Sequence, residues 1–444
     1  MQCATGLGAV IVLFSAMLSS SAHTQLPPGY GEQPKLPAPR ESWLPTINWS
    51  VANEPWKKGQ TPKGAAGLQV VAFAQGLKHP RWLQVLPNGD VLVAEAATEA
   101  SSSWWPRAII QNMIQRRSGA VVENANRISL LRDTNRDGVA EETFVFLEGL
   151  RQPFGMALVG DQLYVANTDS VVRFPYKAGD TRITDKGTKL LDLPVGHHWT
   201  RALLPSPDGS KLFITVGSGS NIGEKGMDIE KGRATILELD LGSGRSRIFA
   251  SGLRNANGMA FEPTTGALWT VVNERDELGD DLPPDYLTSV KDGGFYGWPY
   301  SYYGQHVDDR IQPQEPELVA KAIKPDYALG AHTASLGLAF YTGTLLPERY
   351  HNGAFVGQHG SWNRNPLSGY KVIFVPFTDG KPSGEAQDIL TGFVNDDDKA
   401  HGRPVGVAVD KAGALLVADD VGNVVWRVSL GGPASAATGV SRVQ

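Results

Sequence analysis

Six times along the chain, a glycine-bearing turn opens into a short strand of alternating apolar residues. The copies are Pro87-Asn88-Gly89-Asp90 into Val91–Ala94, Gly160-Asp161-Gln162 into Leu163–Ala166, and Pro207-Asp208-Gly209 into Lys211–Ile214. They continue as Thr265-Gly266 into Ala267–Thr270, Asn352-Gly353 into Ala354–Val356, and Lys411-Ala412-Gly413 into Ala414–Val417. Several are followed by another strand, over Arg127–Leu131, Val171–Phe174, Tyr370–Phe377 and Val424–Val428. Turn and strand returning every roughly 50 to 90 residues is the sequence form of stacked four-stranded sheets. One such sheet exposes two apolar faces. Neighbouring sheets cover them, and closing the stack into a ring removes the free edges. The pattern predicts an all-β chain forming a single six-bladed β-propeller. A β-sandwich or two smaller β domains is the alternative.

The 50 Gly and 29 Pro among 444 residues suit many short turns. Residues Leu7 to Leu18 are almost wholly apolar and precede Ser19, Ser20, Ser21 and Ala22. This predicts a secretory signal over residues 1–22, without the usual basic residue ahead of it. The run is short for a membrane span, so none is expected in the mature chain. An uncleaved anchor is the alternative. Residues 23–66, rich in Pro, Gly and Lys, predict an extended arm. The propeller is expected over 67–430 and a tail over 431–444. The signal places the protein in the periplasm or outside the cell. The only cysteine, Cys3, lies inside that signal. Disulfides, cysteine nucleophiles and thiolate metal sites are thereby excluded from the mature chain. The net charge of −5, with no basic block, argues against nucleic acid or an anionic membrane as partner.

Long loops on such a scaffold usually hold the function. One covers residues 101 to 126, with Trp104, Trp105 and helical spacing over Arg107 to Arg117. Another, from Arg275 to Lys324, is rich in Asp, Pro and Tyr.

Three segments carry candidate chemistry. Gly196-His197-His198-Trp199-Thr200-Arg201 places two imidazoles and a guanidinium in one short loop. A neutral imidazole accepts a proton near pH 7, and Arg grips carboxylates. A surface or structural role is the plainer reading of such a pair. Gly252-Leu253-Arg254-Asn255 precedes a strand of small residues. Related elements are Gly149-Leu150-Arg151-Gln152 and His401-Gly402-Arg403. They are either salt-linked repeat structure or several arginines gathered on one anion, whose charge would offset their repulsion. The acidic loop Asn273 to Asp281, followed by Gly293–Pro299, offers carboxylates and carbonyls to a hard cation such as Ca²⁺, or is simply solvated. Separately, Asp133, Asn135 and Asp137 begin a Ca²⁺-loop pattern that lacks its acidic twelfth residue, where Phe144 stands. A plain Asx-rich turn is the alternative.

Taken in order, Gly-Leu-Arg-Asn-x-x-Gly-Met-Ala-Phe at 252 to 261, Gly-Gly-x-Tyr-Gly-Trp-Pro at 293 to 299 and the histidine loop at 196 to 201 resemble a known family. It is the soluble pyrroloquinoline quinone (PQQ)-dependent sugar dehydrogenases, glucose and sorbosone types. The resemblance runs from about Gly76 to Val428. It implies PQQ over the channel mouth and hydride transfer from a sugar to the quinone. His198 matches the general base, and His197 stands where the family has Asp. Arg254 and Asn255 match the pair beside the reactive carbonyl, which makes His198 and Arg254 the catalytic candidates. Gln152, Thr333 and Arg403 match cofactor contacts. His401 stands in place of a second arginine, and His359 is the nearest counterpart of a cofactor-binding lysine. Ca²⁺ is implied on the backbone carbonyls of Arg275 and Asp276, where it would polarise the quinone. An aldose or sorbosone-like sugar aldehyde is the implied substrate, with an external electron acceptor. A lactonase-type hydrolase with a channel metal, or a non-catalytic carbohydrate- or protein-binding propeller, are the alternatives.

Overall fold

Each of the six turn-strand units forms the second strand of a four-stranded antiparallel sheet. The computed structural model describes residues 27–40, 46–100 and 106–431. The expected signal, the tail beyond 431, and Trp104 and Trp105 lie outside the described residues. Blade 1 is Pro80–Val85, Val91–Glu95, Arg127–Arg132 and Glu142–Leu147. Blade 2 is Met156–Val159, Gln162–Ala166, Ser170–Pro175 and Thr188–Asp192. Blade 3 is Leu203–Pro205, Lys211–Val216, Thr235–Asp240 and Ser246–Ser251. Blade 4 is Ala256–Phe261, Leu268–Val272, Pro284–Ser289 and Tyr327–Ala331. Blade 5 is Ser335–Phe340, Gly353–Gln358, Lys371–Thr378 and Gln387–Thr391. The arrangement is a six-bladed β-propeller.

Blade 6 closes the ring. Its inner strands are Pro404–Val409, Leu415–Asp419 and Val424–Leu430, and its outermost strand comes from the other end of the chain, Leu68–Gln75. That pairing runs from Leu68 opposite Leu430 to Gln75 opposite Val424. The second strands are apolar because neighbouring sheets cover both their faces. Val91–Glu95 and Leu415–Asp419 are buried at every position. Blade 1's outermost strand, Glu142–Leu147, by contrast keeps Glu142, Thr143 and Val145 exposed.

Around the axis the innermost strands come so close that glycine is needed. A Cβ on Gly337 would lie 2.3 Å from the Val405 carbonyl oxygen, and one on Gly258 2.6 Å from the Leu338 nitrogen. Gly155 faces Leu203 and Gly406 faces Arg81 in the same way, at 2.4 and 2.7 Å from backbone atoms.

The arm runs along blades 4, 5 and 6. Tyr30–Gly31 pairs with the blade 4 edge strand, and Lys63–Gly64 with that of blade 5. Between them Asn48 bridges Asn363, and Val51 bridges Lys399. Among the described residues no helix is long and apolar enough to cross a membrane.

The interval from 275 to 324 differs from the sequence expectation. It is not all insertion: Pro284–Ser289 is the third strand of blade 4, hidden in the sequence by its Pro, Asp, Thr and Ser. The tract at 293–299 is also part of the framework, since Gly294–Phe295 extends blade 3 in parallel with Ser246–Ser251. The other loop does carry the expected helix, over Pro106–Arg117.

Gly337→Ala is expected to wedge two innermost strands apart and cost about 1–3 kcal/mol, the range for overpacking. Thermal denaturation checks this: the midpoint falls if the close approach matters and is unchanged if the ring accommodates the methyl.

Candidate active site

In every blade the innermost strand begins at the end of the ring where the second strand finishes, because the two are antiparallel. Both sets of junctions therefore gather at one mouth. The strand starts bring His79 and Arg81, Gln152, His197 and His198, Arg254 and Asn255, Thr333, and Arg403. The second-strand exits bring Ser218, Asn273 to Asp276, His359 and Asp420. His198, Arg254 and Arg403 thus share one end.

His198 is half-buried and His197 exposed, their rings edge to face at 4.6 Å. His198 Nδ1 lies 2.9 Å from the Ser218 carbonyl oxygen and 3.0 Å from its hydroxyl. Gly217 makes room, since a Cβ there would stand 2.6 Å from His198 Cβ. Desolvation, then His197 and Arg254, hold His198 well below the ordinary histidine range. Desolvation, Arg254 and Lys225 lower His197 as well, although one edge meets solvent.

Beneath this loop Arg201 is fully buried and donates to the carbonyls of Pro194, His198 and Thr200, at 2.7–2.8 Å. Burial and Arg233 push its guanidinium down to about 9. Arg233 adds bonds to the Val195 and Gly217 carbonyls. Two cations thus clamp the histidine loop through its backbone.

Arg254 is buried and reaches across blades 3 and 4. It donates to the carbonyls of Asn221 (3.0 Å), Asn273 (3.3 Å) and Glu274 (2.7 Å), and to Asn221 Oδ1 at 2.7 Å. Asn255 Oδ1 is buried without a partner, an acceptor aimed at no protein donor. Burial opposes the charge of Asp276, but His332, Arg254 and Asn363 bring it down to about 2. Asp276 in turn raises His332 against the effect of its burial.

A second group stands on blades 5, 6 and 1 around Asp420, with Arg81 and Arg403 as its cations. His359 Nε2 is 2.8 Å and His79 Nε2 3.3 Å from its Oδ2, and Arg81 bonds the same oxygen. Burial opposes ionisation of Asp420, yet His359, His79 and Arg81 hold it well below the usual carboxylate range. Desolvation pushes His79 down to about 4 and His359 to about 3. Arg403 joins by donating to the carbonyls of His359 (2.9 Å) and Gly360 (2.8 Å). Arg81 also stands 5.4 Å over the Trp199 ring, next in chain to His198. This contact links the two groups across the mouth.

The other sequence candidates fall differently. Gln152 is buried and donates to the Ala97 carbonyl at 2.8 Å, tying blade 2 to blade 1. Thr333 is fully buried and holds Asp285 at 3.0 Å. His401 does not join Arg403. Its Nδ1 faces the Glu54 carbonyl at 2.6 Å and its ring lies on Trp56 at 5.0 Å, so the arm engages it. The Asp276 carbonyl, expected to hold Ca²⁺, accepts Arg275 Nε at 2.8 Å, and Arg275 itself pairs with Asp308. Asp133, Asp137 and Glu141 have ligand atoms within 4.8 Å of one another. Asp133 is however spent on the Arg136 and Gly138 amides, and Asp137 on that of Val139, which is the geometry of an Asx-rich turn.

The sequence profile of the TrAA12-like family matches residues 62–285 and 307–430. The chain belongs to that family. An uncharacterized protein of Borreliella burgdorferi is 28% identical over 298 residues, which is 64% of this chain and 77% of that one. A pyrroloquinoline quinone-dependent pyranose dehydrogenase of Coprinopsis cinerea is 26% identical, over 49% of this chain and 35% of its own. An aldose sugar dehydrogenase of Escherichia coli is 27% identical, over 40% and 50%. The match thus spans half or less of either dehydrogenase. Among solved structures, a Trichoderma reesei enzyme of carbohydrate-active family AA12 superposes with a TM-score of 0.69 at 19% identity, covering 88% of this chain and all of that one. The PQQ domain of the Coprinopsis pyranose dehydrogenase gives 0.67 at 22%, covering 86% and 100%. These superpositions establish the shared propeller.

Several site residues of this TrAA12-like chain escaped the sequence reading: Arg81, His79, Ser218, Asn221, Arg233, His332 and Asp420. Ser218 and Asp420 lie just after a second strand, and His79 and Arg81 at the start of an innermost one. The same register that located the strand starts also locates those exits, so the signal was present in the repeat.

Because its folded-state pKa is depressed, His198 is expected to stay neutral as pH falls through 6.5 and to gain its proton only well below that. Nitrogen-15 NMR of histidine-labelled protein checks this. Titration near 6.5 would contradict the desolvated setting.

Proposed function

We propose that this protein is an exported dehydrogenase that oxidises an aldose or a related, sorbosone-like sugar aldehyde using PQQ. The observation carrying the reading is the pairing, at one mouth, of a neutral imidazole with two separate groups of buried cations. PQQ bears three carboxylates, and a small polyanion suits guanidinium donors on opposite sides of a ring. The unpartnered Asn255 Oδ1 beside Arg254 marks a place where a bound molecule could supply a donor. The names of the Coprinopsis and Escherichia coli relatives support the same chemistry.

When bound, PQQ supplies a two-electron acceptor for hydride. His198 takes the proton of the sugar hydroxyl at Nε2, the nitrogen not directed at Ser218. Arg254 sets positive charge beside the reacting end and favours negative charge developing there. Arg403, with Arg81 and His359 nearby, holds the carboxylate end. His197 lines the mouth above His198. The oxygens around Arg254, from Asn221, Asn273, Glu274 and Asp276, make an environment suited to a cation. Ca²⁺ on the Arg275 and Asp276 carbonyls would have to compete with Arg275 Nε for the latter. An exported enzyme has no nicotinamide pool to draw on, so a tightly held quinone and an external acceptor fit a periplasmic or secreted place.

Purified protein supplied with PQQ, with and without Ca²⁺, should retain quinone absorbance and reduce a dye across part of a sugar panel. No retained quinone and no reduction would remove the proposal. His198→Ala should keep the quinone and lose roughly 10²- to 10⁴-fold in turnover, the span of a general base. Unchanged turnover would exclude that role. Arg403→Met should weaken quinone binding by roughly 10- to 100-fold, matching about 1.5–3 kcal/mol for hydrogen bonds to a charged partner. Equal affinity in a fluorescence titration would place the carboxylates elsewhere.

A further inference from the structure

The orientation of His198 is decided by a buried chain that ends in a carboxylate. His198 Nδ1 faces two oxygens of Ser218, the carbonyl at 2.9 Å and the hydroxyl at 3.0 Å. The carbonyl can only accept. The hydroxyl proton is already given to the Ser220 carbonyl at 2.6 Å, so toward His198 that oxygen also only accepts. Nδ1 must therefore carry the hydrogen, and the neutral ring keeps its lone pair on Nε2.

Ser218 is fixed by what lies behind it. Ser220 donates its hydroxyl to Glu230 Oε1, and the Gly219 amide donates to Glu230 Oε2 at 2.7 Å. The Gly223 amide closes on the Ser220 hydroxyl oxygen at 3.0 Å. Glu230 is buried, at 6% exposure, and both its oxygens are spent on the strip 219–220. Its own carbonyl accepts the Arg233 amide at 2.9 Å, and the Arg233 side chain holds Gly217 and Val195. Ser218 is also tied forward, its amide donating to the Arg254 carbonyl at 2.7 Å.

We propose that Glu230 is a positioning residue for His198. Through Ser220 and Gly219 it fixes Ser218, and Ser218 fixes the ring as the Nδ1–H tautomer with Nε2 presented to the mouth. Among the described residues no carboxylate touches His198 directly, so its negative partner stands two side chains away. A remote carboxylate orients the ring without forming an ion pair that would hold the imidazole protonated. The significance for catalysis rests on the proposed dehydrogenase reading; the tautomer does not.

The test uses the protein as purified, without quinone, at pH 7.5. Nitrogen-15 histidine labelling and a His198→Gln difference spectrum assign the ring among the 9 histidines. Wild type is expected to show a protonated Nδ1 and an unprotonated Nε2. In Glu230→Gln, the amide turns a donor toward Gly219 or Ser220, and His198 should show a mixture of tautomers. Ser220→Ala breaks the link without burying a new charge, and should give the same mixture if the first variant fails to fold. With quinone added, both variants should lose about tenfold or more in kcat, as outer partners of a reacting ring typically do, with KM changed much less. An Nε2–H tautomer in wild type, or a pure Nδ1–H tautomer in both variants, would overturn the inference. The expected spectra with no dye reduction in wild type would instead sink the dehydrogenase reading and leave the positioning role standing.

Discussion

Everything at the mouth depends on one strand pairing. Leu68–Gln75 lies antiparallel against Val424–Leu430, so the start of the ring is sewn to its end. A ring left open between blades 6 and 1 would expose an apolar sheet face and an unpaired edge. It would also separate the residues whose proximity matters most, because Asp420 belongs to blade 6 and its partners His79 and Arg81 to blade 1. The arm that follows the expected signal is thus part of the closure. It pairs with blades 4 and 5 before delivering the closing strand, and its Trp56 donates to Asp419 at 2.8 Å.

Closure also explains why so much unfavourable burial is tolerated at one end. Among the described residues Arg201 has no carboxylate partner, and two histidines share the single carboxylate of Asp420. Each such group would be costly alone. Backbone carbonyls, freed where strands finish, take up the guanidiniums of Arg201, Arg233, Arg254 and Arg403. Channel glycines such as Gly337 and Gly258 let the innermost strands approach until these loop ends meet. The scaffold's regularity and the site's irregularity are therefore linked: the tighter the ring, the more closely its loops converge.

Much of the fold was legible in the sequence because burial on both faces forces a repeated apolar signature onto every second strand. Pro284–Ser289 was not legible, since its Pro284, Asp285 and Thr288 disguise a strand that the blade still needs. The site was legible where a residue type is unusual for its surroundings, as with His198, Arg254 and Arg403. His401 misled, because its neighbours along the chain belong to the mouth while its side chain belongs to the arm, a contact between residues hundreds of positions apart. Arg275 and Asp276 misled in part, because no spacing rule reveals that one guanidinium would turn back onto the next carbonyl. Glu230 carries no local mark at all; only the folded geometry joins it, through Ser220 and Ser218, to His198.

The most direct measurement of the central claim is a crystal structure of the protein grown with PQQ. The account predicts quinone density spanning the mouth, its carboxylates on the Arg403 side and its reacting carbonyls between Arg254 and His198. Density elsewhere on the surface, or a mouth in which the two cationic groups close on each other and leave no room, would contradict it.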